Sequence, residues 1–165
     1  MLYPELKGTA LDAYNKMVSK LYDKARTELG LEDKNLSFRP LRPEDIGLAN
    51  PAWSLNCPTV NAWNTVISGI SISDARFVGI SGVFHNEAVG EATQVRIKRM
   101  GSDIRYWDVT HVRNFDDNIG YADDPVTMDQ NTTLTVDIYC TTASTLVDFG
   151  FIGAIIEKKG LLVSD

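Results

Sequence analysis

The sequence predicts a mainly β protein: an antiparallel β-sandwich of the jelly-roll type, preceded by an N-terminal α-helix. Residues 5–30 place apolar side chains at helical spacing, whereas residues 59–158 contain seven or eight short extended segments separated by turns. No helical pattern lies between those segments, which excludes the strand–helix alternation of a parallel α/β fold. An immunoglobulin-like sandwich is the nearest alternative, but the Cys…Trp…Cys arrangement of that fold is incomplete here.

The helix prediction depends on one stripe of apolar residues. Steps of three and four residues place the stripe on one face, while charged residues such as Lys16 and Lys20 occupy the other. Thr9 and Asp12 loosely resemble a capping box, and Gly30 is suited to end the helix. The stripe consists of Leu6, Ala10, Tyr14, Met17, Leu21, Ala25 and Leu29.

A proline-rich connector over residues 31–58 follows the helix. Its prolines interrupt any long helix and favour extended chain, and residues 36–39 form one short predicted strand. We therefore divide the chain into an N-terminal arm, residues 1–58, and a β-sandwich domain, residues 59–165. The prolines are Pro40, Pro43, Pro51 and Pro58.

Strand signals are clearest in the second half of the chain. Residues 93–99 alternate between apolar and polar side chains, and residues 132–140 do so most regularly. Residues 146–157 form the last predicted strand, and the small polar residues 141–145 predict a hairpin that joins it to the strand before. The inward face of the most regular strand consists of Leu134, Val136, Ile138 and Cys140.

The last strand has two apolar faces. Alternating residues from Phe149 to Ile155 form one face, and those from Ile152 to Ile156 form the other. Because a sandwich strand normally keeps one polar face, a second cover is expected, either the N-terminal helix or a neighbouring subunit. We predict that the helix lies at a subunit contact. The predicted interface residues are Tyr14, Met17, Leu21, Ile152 and Ile156.

Composition and charge narrow the classes of function. The 16 Lys+Arg and 22 Asp+Glu residues give a net charge of −6, all of it carried by residues 37–165. A general nucleic-acid binder presents a basic field, so nucleic acid is not an expected partner. No apolar run is long enough to span a bilayer, and residues 1–5 lack the basic-then-apolar order of a signal peptide. No membrane association is expected.

The sequence contains no recognisable catalytic motif. His85 and His111 have no nucleophile or ligand set near them in sequence, and Gly79–Val83 lacks the second glycine of a G-x-S-x-G elbow. Glycine-rich phosphate-binding loops are also missing from the sequence. Cys57 and Cys140 are typical of small buried side chains, with a single disulfide as the alternative. We therefore expect a protein that is not an enzyme and has no cofactor or metal centre.

Three groups of residues leave other functions open. An acidic run offers the oxygen ligands that calcium prefers, although its spacing is not that of an EF-hand. A basic group with neighbouring aromatics resembles a nucleic-acid platform, but also the solvent face of a hairpin. The tryptophans suit sugar stacking as well as core packing. The acidic run consists of Asp116, Asp117, Asp123, Asp124 and Asp129. The basic group consists of Arg96, Lys98, Arg99 and Arg105. The tryptophans are Trp53, Trp63 and Trp107.

The β region is a succession of five marked segments: Thr93–Arg99, Ile104–Val109, Asp124–Met128, Asn131–Tyr139 and Gly150–Gly153. The order and residue pattern of these segments resemble those of the small jelly-roll structural proteins of viruses and tailed phages. Such proteins serve as capsid, cement or decoration subunits. The resemblance covers roughly residues 59–158.

The resemblance implies a function in assembly and no catalytic residues. Such proteins form oligomers, often trimers or larger rings, in which terminal arms or helices join neighbours. A strongly basic N-terminal arm, which would contact a genome, is missing from this sequence. We therefore predict a virion structural protein, located in the virion, that assembles with itself and with other virion proteins. The alternative is a carbohydrate-binding or receptor-recognising β-sandwich module.

Overall fold

The computed structural model describes residues 5–49, 51–85, 92–142 and 144–160. Within these ranges one α-helix, α1 (Gly8–Leu29), precedes ten β-strands. No helix in these ranges has both the length and the apolar character that a membrane span requires. The strands are β1 (Leu36–Pro40), β2 (Leu55–Cys57), β3 (Ala62–Ser71), β4 (Arg76–His85), β5 (Ala92–Arg99), β6 (Ser102–Asp108), β7 (Ile119–Met128), β8 (Thr133–Cys140), β9 (Ser144–Val147) and β10 (Phe149–Lys158).

The strands form two four-stranded sheets and one two-stranded ribbon, and every pairing is antiparallel. We call the sheet β1-β10-β4-β7 the helix-covered sheet, because α1 packs on its outer surface, and the sheet β3-β8-β5-β6 the open sheet. The ribbon consists of β2 and β9. The two sheets enclose the main hydrophobic core between them. The predicted antiparallel β-sandwich with an N-terminal helix is confirmed.

The strand pairings are nested along the chain. β5 pairs with β6, β4 with β7, β3 with β8, β2 with β9 and β1 with β10. A long hairpin that folds over on itself has this order, because each outer pair encloses the pair inside it. Three of its turns meet at one end of the sandwich. There the amide of Asn131 donates to the carbonyl of Ile72 and that of Met100 donates to the carbonyl of Thr133, both at 2.9 Å.

Strand β10 is buried on both faces. All of its residues from Phe149 to Glu157 are buried. Phe151 and Ile155 belong to the main core, whereas Ile156 belongs to a second cluster beneath the helix. The two apolar faces predicted from the sequence are therefore confirmed, and the helix supplies the second cover.

Helix α1 covers β10 through its buried stripe. Met17, Leu21 and Ala25 are fully buried in one cluster with Phe77 of β4 and Ile156 of β10. Burial of the Met17 and Leu21 side chains contributes roughly 1.5–3 kcal/mol each to the free energy of unfolding. The apolar stripe of the helix and the outer apolar face of β10 thus bury each other.

A glycine in β4 allows this close approach of helix and sheet. A Cβ atom on Gly79 would lie 2.7 Å from the sulfur of Met17 and 2.8 Å from Cδ1 of Leu21. These distances are shorter than a normal carbon contact, so a larger residue at this position would push the helix away from the sheet.

The two ends of α1 differ in how well the sequence predicted them. The helix ends at Gly30 as predicted, since this residue has a left-handed conformation with φ 64° and donates its amide to the carbonyl of Arg26. The predicted capping box is wrong. Lys7 occupies the N-cap position without a side-chain cap, and Thr9 already lies inside the first turn.

The predicted subunit contact through the helix is revised by the packing within the chain. Met17, Leu21 and Ile156 each have 0% exposure in the single chain, so they have no surface left for a neighbour. The apolar face of β10 is covered by the helix of its own chain. Tyr14 and Ile152 are different, because both line an apolar cavity at the edge of this cluster.

The connector is part of the sandwich rather than a separate arm. β1 pairs with β10 along its whole length. Leu41, Ile46, Leu55 and Cys57 are buried in the main core, and the amide of Leu41 donates to the carbonyl of Gly153 at 2.9 Å. The predicted boundary after the connector therefore does not separate two structural units.

The predicted hairpin over residues 141–145 is also wrong. β8 pairs with β3 and β5, and the segment after it forms β9, which pairs with β2. β10 then begins at Phe149 in the other sheet. Alternation in the sequence identified these strands but not their partners, because each strand has two edges that can accept a neighbour.

We expect Leu21→Asp to lower the free energy of unfolding by at least about 3 kcal/mol, because it removes buried apolar area and places a charge in an apolar cluster. Ser19→Asp, which adds the same charge at an exposed position of the helix, should change it by less than about 0.5 kcal/mol. Urea denaturation followed by circular dichroism measures both. A Leu21→Asp variant as stable as the wild type would contradict the described packing of the helix on the sheet.

Candidate functional site

An aromatic cleft lies between the free edges of the two sheets, where β6 borders the open sheet and β7 borders the helix-covered sheet. We call it the edge cleft, and its volume is about 400 Å³. Two of its aromatic side chains are strongly exposed: Phe115 by 53% and Tyr121 by 47%. Tyr106 borders the cleft, but its ring lies on the outer surface of the open sheet, against Trp63. Trp107 also lines the cleft and packs against the main core. Among the described residues, the cleft therefore exposes aromatic surface beside the charged residues Arg105, Asp123 and Asp124.

The segment between β6 and β7 places Phe115 at the cleft. It includes a short 3-10 turn, Val112–Asn114, in which Val112 is buried against the core, so that Phe115 follows on the surface. The start of β7 lies very close to β4. A Cβ atom on Gly82 would be only 2.3 Å from the carbonyl oxygen of Gly120, so β4 needs glycine at this point.

Charged residues cover the edge of β7. Arg105 of β6 donates to the carboxylate of Asp124, and Lys20 of α1 lies 3.9 Å from the same carboxylate. One turn earlier on α1, Lys16 donates to the backbone carbonyl of Asp123 at 3.0 Å. These contacts protect a strand edge that would otherwise be open to pairing with another strand.

The acidic run predicted as a possible calcium site is divided among basic partners. Asp124 faces Arg105 and Lys20, whereas Asp129 lies 2.6 Å from Nζ of Lys24. Within the described part of the chain, no three His, Cys, Asp or Glu residues gather closely enough to hold a metal ion. Two carboxylates of this run, those of Asp124 and Asp129, therefore pair with lysines of α1 and with Arg105 of β6.

A polar network centred on Asp137 lies on the outer surface of the open sheet. The side chain of Asp137 is only 3% exposed. It accepts hydrogen bonds from Oγ1 of Thr65 at 2.7 Å and from Nε and Nη2 of Arg96 at 2.9 and 2.6 Å, and Nζ of Lys98 lies 3.4 Å away. Burial raises the pKa of Asp137, but the hydrogen bonds from Thr65 and Arg96 and the two positive charges hold it below its ordinary value.

Aromatic rings surround this network. The Arg96 guanidinium lies 4.4 Å from the centre of the Trp63 ring, in cation–π geometry. Tyr106 and Tyr139 make edge-to-face contacts with Trp63, with ring centres 6.2 and 5.6 Å apart. The predicted basic patch is thus largely neutralised by carboxylates of the same chain. This arrangement fits the solvent face of a sheet better than a nucleic-acid platform.

The three tryptophans do not form a common platform for sugars. Trp53 makes edge-to-face contacts with Phe84 and Phe151. Trp107 packs against the main core from the edge cleft. Trp63 alone of the three lies on the outer surface of the open sheet, and Arg96 covers one side of its ring.

The residues considered for catalysis lie apart from one another. His85 is buried at the end of β4, whereas His111 is exposed in the segment between β6 and β7. Ser81 is buried in β4 and donates to the carbonyl oxygen of Ile152 at 3.3 Å. The hydroxyl in the elbow-like sequence is therefore not placed at a strand-to-helix turn.

Cys57 and Cys140 are both fully buried in the main core, as predicted. No disulfide joins them. Cys57 lies opposite Ser144 in the ribbon, and Cys140 lies opposite Ala92 in the open sheet.

Phe115 and Tyr121 are exposed aromatics that the sequence analysis did not single out. They flank Asp116 and Asp117, which lie just before β7. Neither lies in a regularly alternating segment, so no period marks them as inward or outward. Large aromatics next to an acidic run are the one signal that could have found them.

Comparison with known proteins found no relative: the chain matches no family model, no curated protein and no solved structure.

We expect Asp137→Asn to lower the free energy of unfolding by roughly 3 kcal/mol at pH 7, because Arg96 and Lys98 lose a buried countercharge. The folded-state pKa of Asp137 is depressed, so its contribution is present above the ordinary pKa of 3.8 and is lost as pH falls through the folded-state pKa. The difference between wild type and variant should therefore shrink below about pH 4.

Urea denaturation at pH 7, 5 and 3 measures this difference. Asp103→Asn is the matched control, since Asp103 lies on the same surface but is 39% exposed and 3.9 Å from Lys98. Its effect should stay below about 1 kcal/mol. An equal effect of the two substitutions would show that the Asp137 network is not a buried one.

Proposed function

We propose that this chain is a structural subunit of a virus particle, a capsid, minor capsid or cement protein, that acts by assembling with copies of itself and with other virion proteins. The observation that carries the proposal is the edge cleft. Two large aromatic side chains, Phe115 and Tyr121, are each about half exposed and line this cleft beside the partly buried Trp107.

An exposed aromatic cluster of this kind is typical of a protein contact. Single exposed apolar residues are common, but several that adjoin one another usually mark an interaction site. Tyrosine, tryptophan and arginine are enriched among the residues that carry most of the binding energy. Tyr121, Trp107 and Arg105 supply all three types in the edge cleft.

The connectivity of the strands supports the structural class. The nested pairings, from β5 with β6 outward to β1 with β10, agree with a jelly roll, as the sequence resemblance implies. The helix is seated within the chain, so the proposal places assembly at the sheet edges instead of at the helix. A cleft that meets a different surface of the next copy makes a head-to-tail contact, which builds rings or shells.

The proposal also holds that the chain is not an enzyme. The two histidines lie on separate elements, and Ser81 is buried with its hydroxyl directed at a backbone carbonyl. A subunit that acts by assembly requires neither a nucleophile nor a general base.

We expect the double variant Phe115→Ser, Tyr121→Ser to associate at least about tenfold more weakly than the wild type, because truncating contact aromatics typically costs more than 1 kcal/mol each. Sedimentation velocity over a concentration series, with electron microscopy of the assembled fraction, measures this. Circular dichroism checks that the variant remains folded, which it should, since both side chains are exposed.

Met100→Ser is the matched control for this experiment. Met100 is 64% exposed, but it lies in the turn between β5 and β6 at the end of the sandwich away from Phe115. It should assemble like the wild type. A wild-type chain that stays monomeric at high concentration and joins no particle would contradict the proposed function. Unchanged assembly of the double variant would contradict the edge cleft as the contact.

A further inference from the structure

A second cavity, separate from the edge cleft, lies on the outer surface of the helix-covered sheet. Its volume is about 250 Å³. The first turns of α1 contribute Leu11 and Tyr14, the connector contributes Trp53, and the sheet contributes Phe84 and Ile152. The buried stripe of α1 covers β10 around Ile156, and the cavity adjoins this cover where the helix begins.

A glycine of β10 shapes the aromatic wall of the cavity. The rings of Trp53 and Phe84 meet edge to face, with their centres 6.1 Å apart. Both rings press on Gly150, where a Cβ atom would lie 2.1 Å from Cζ of Phe84 and 2.7 Å from Cγ of Trp53. The rings can therefore approach the strand closely, and their edges and faces form one side of the cavity.

The apolar lining of the cavity favours an uncharged, apolar ligand. None of the described residues that line the cavity is charged, and among them all except Tyr14 and Trp53 have wholly apolar side chains. A charged group would lose its hydration there without gaining a countercharge. An uncharged hydrocarbon group would instead exchange water contacts for contacts with aromatic and aliphatic side chains.

We propose that this cavity is a binding site for the hydrocarbon part of a small molecule, an aromatic ring or a short alkyl chain. An apolar protein cavity of about 150 Å³ binds benzene, so one of about 250 Å³ accommodates a somewhat larger group. This ligand site is independent of the assembly function proposed above.

The shape of the site favours a small molecule over a second protein chain. Trp53 and Phe84 are half-buried and line the concave site, unlike the strongly exposed aromatics of the edge cleft. Leu11 is the one strongly exposed large apolar side chain among the residues that line it. Because Leu11 lies on the helix at the mouth, a larger side chain at this position can close the site without disturbing the core.

The first experiment uses Trp53 as a reporter. In a Trp63→Phe, Trp107→Phe background, Trp53 is the only one of the three tryptophans left. Bromobenzene should quench its fluorescence in a saturable way, and benzene should reverse the quenching by competition. In the unmodified chain, benzene at ten times its dissociation constant should raise the melting temperature by about 3–6 °C. The second readout keeps the proposal testable if the background variant folds poorly.

Substitutions at the mouth provide the control. Leu11→Trp should abolish the benzene-induced rise in melting temperature, whereas Leu11→Ala should retain it. Quenching that stays linear with bromobenzene concentration, together with a melting temperature that benzene does not raise, would overturn the proposal. A change in sedimentation mass on Leu11→Trp without any benzene effect would also overturn it, and would indicate that a second copy occupies the cavity. Assembly by the edge cleft can fail or succeed without altering any of these results.

Discussion

Strand β10 must be covered on both of its faces, because apolar side chains lie on one face from Phe149 to Ile155 and on the other from Ile152 to Ile156. One face lies against the main core and the other against Met17 and Leu21 of the helix. Exposing either face would forfeit the burial of several large side chains, each worth roughly 1.5–3 kcal/mol. The connector keeps the helix close to β10, because its strand β1 is the first strand after the helix and pairs with β10. Helix, connector and sheet therefore form one unit.

The position of the helix decides which surfaces remain for function. Its lysines reach β7, where Lys16, Lys20 and Lys24 meet a carbonyl or a carboxylate of the acidic segment. This covers one strand edge and leaves the aromatic cleft beside it open. On the opposite sheet, the network around Asp137 neutralises the cations of the outer surface. The described part of the chain thus presents the aromatic edge cleft and a nearly charge-balanced sheet surface.

Much of this fold was accessible from periodicity. The helical stripe, the alternating strand β8 and the double apolar face of β10 were all predicted, because burial imposes a period on each element. The sequence did not decide which chain supplies the helix that covers β10. The helix has the same sequence in its own chain and in a neighbouring copy, so the pattern of residues cannot distinguish the two. The exposure of Phe115 was missed, and the packing of Trp53 was left open between a core and a sugar-stacking role, for a related reason. An aromatic side chain suits a core and a surface equally well, and only the tertiary placement of its segment distinguishes them.

Native-state hydrogen exchange tests the dependence of the fold on this double cover most directly. If the helix is an essential cover of β10, amides in the buried part of α1, around Leu21, and amides of β10, around Ile155, should exchange with the same free energy, equal to that of global unfolding. The two elements would then open together. Exchange of the helix amides at a free energy several kcal/mol below that of β10, with β10 still protected to the global limit, would contradict the account.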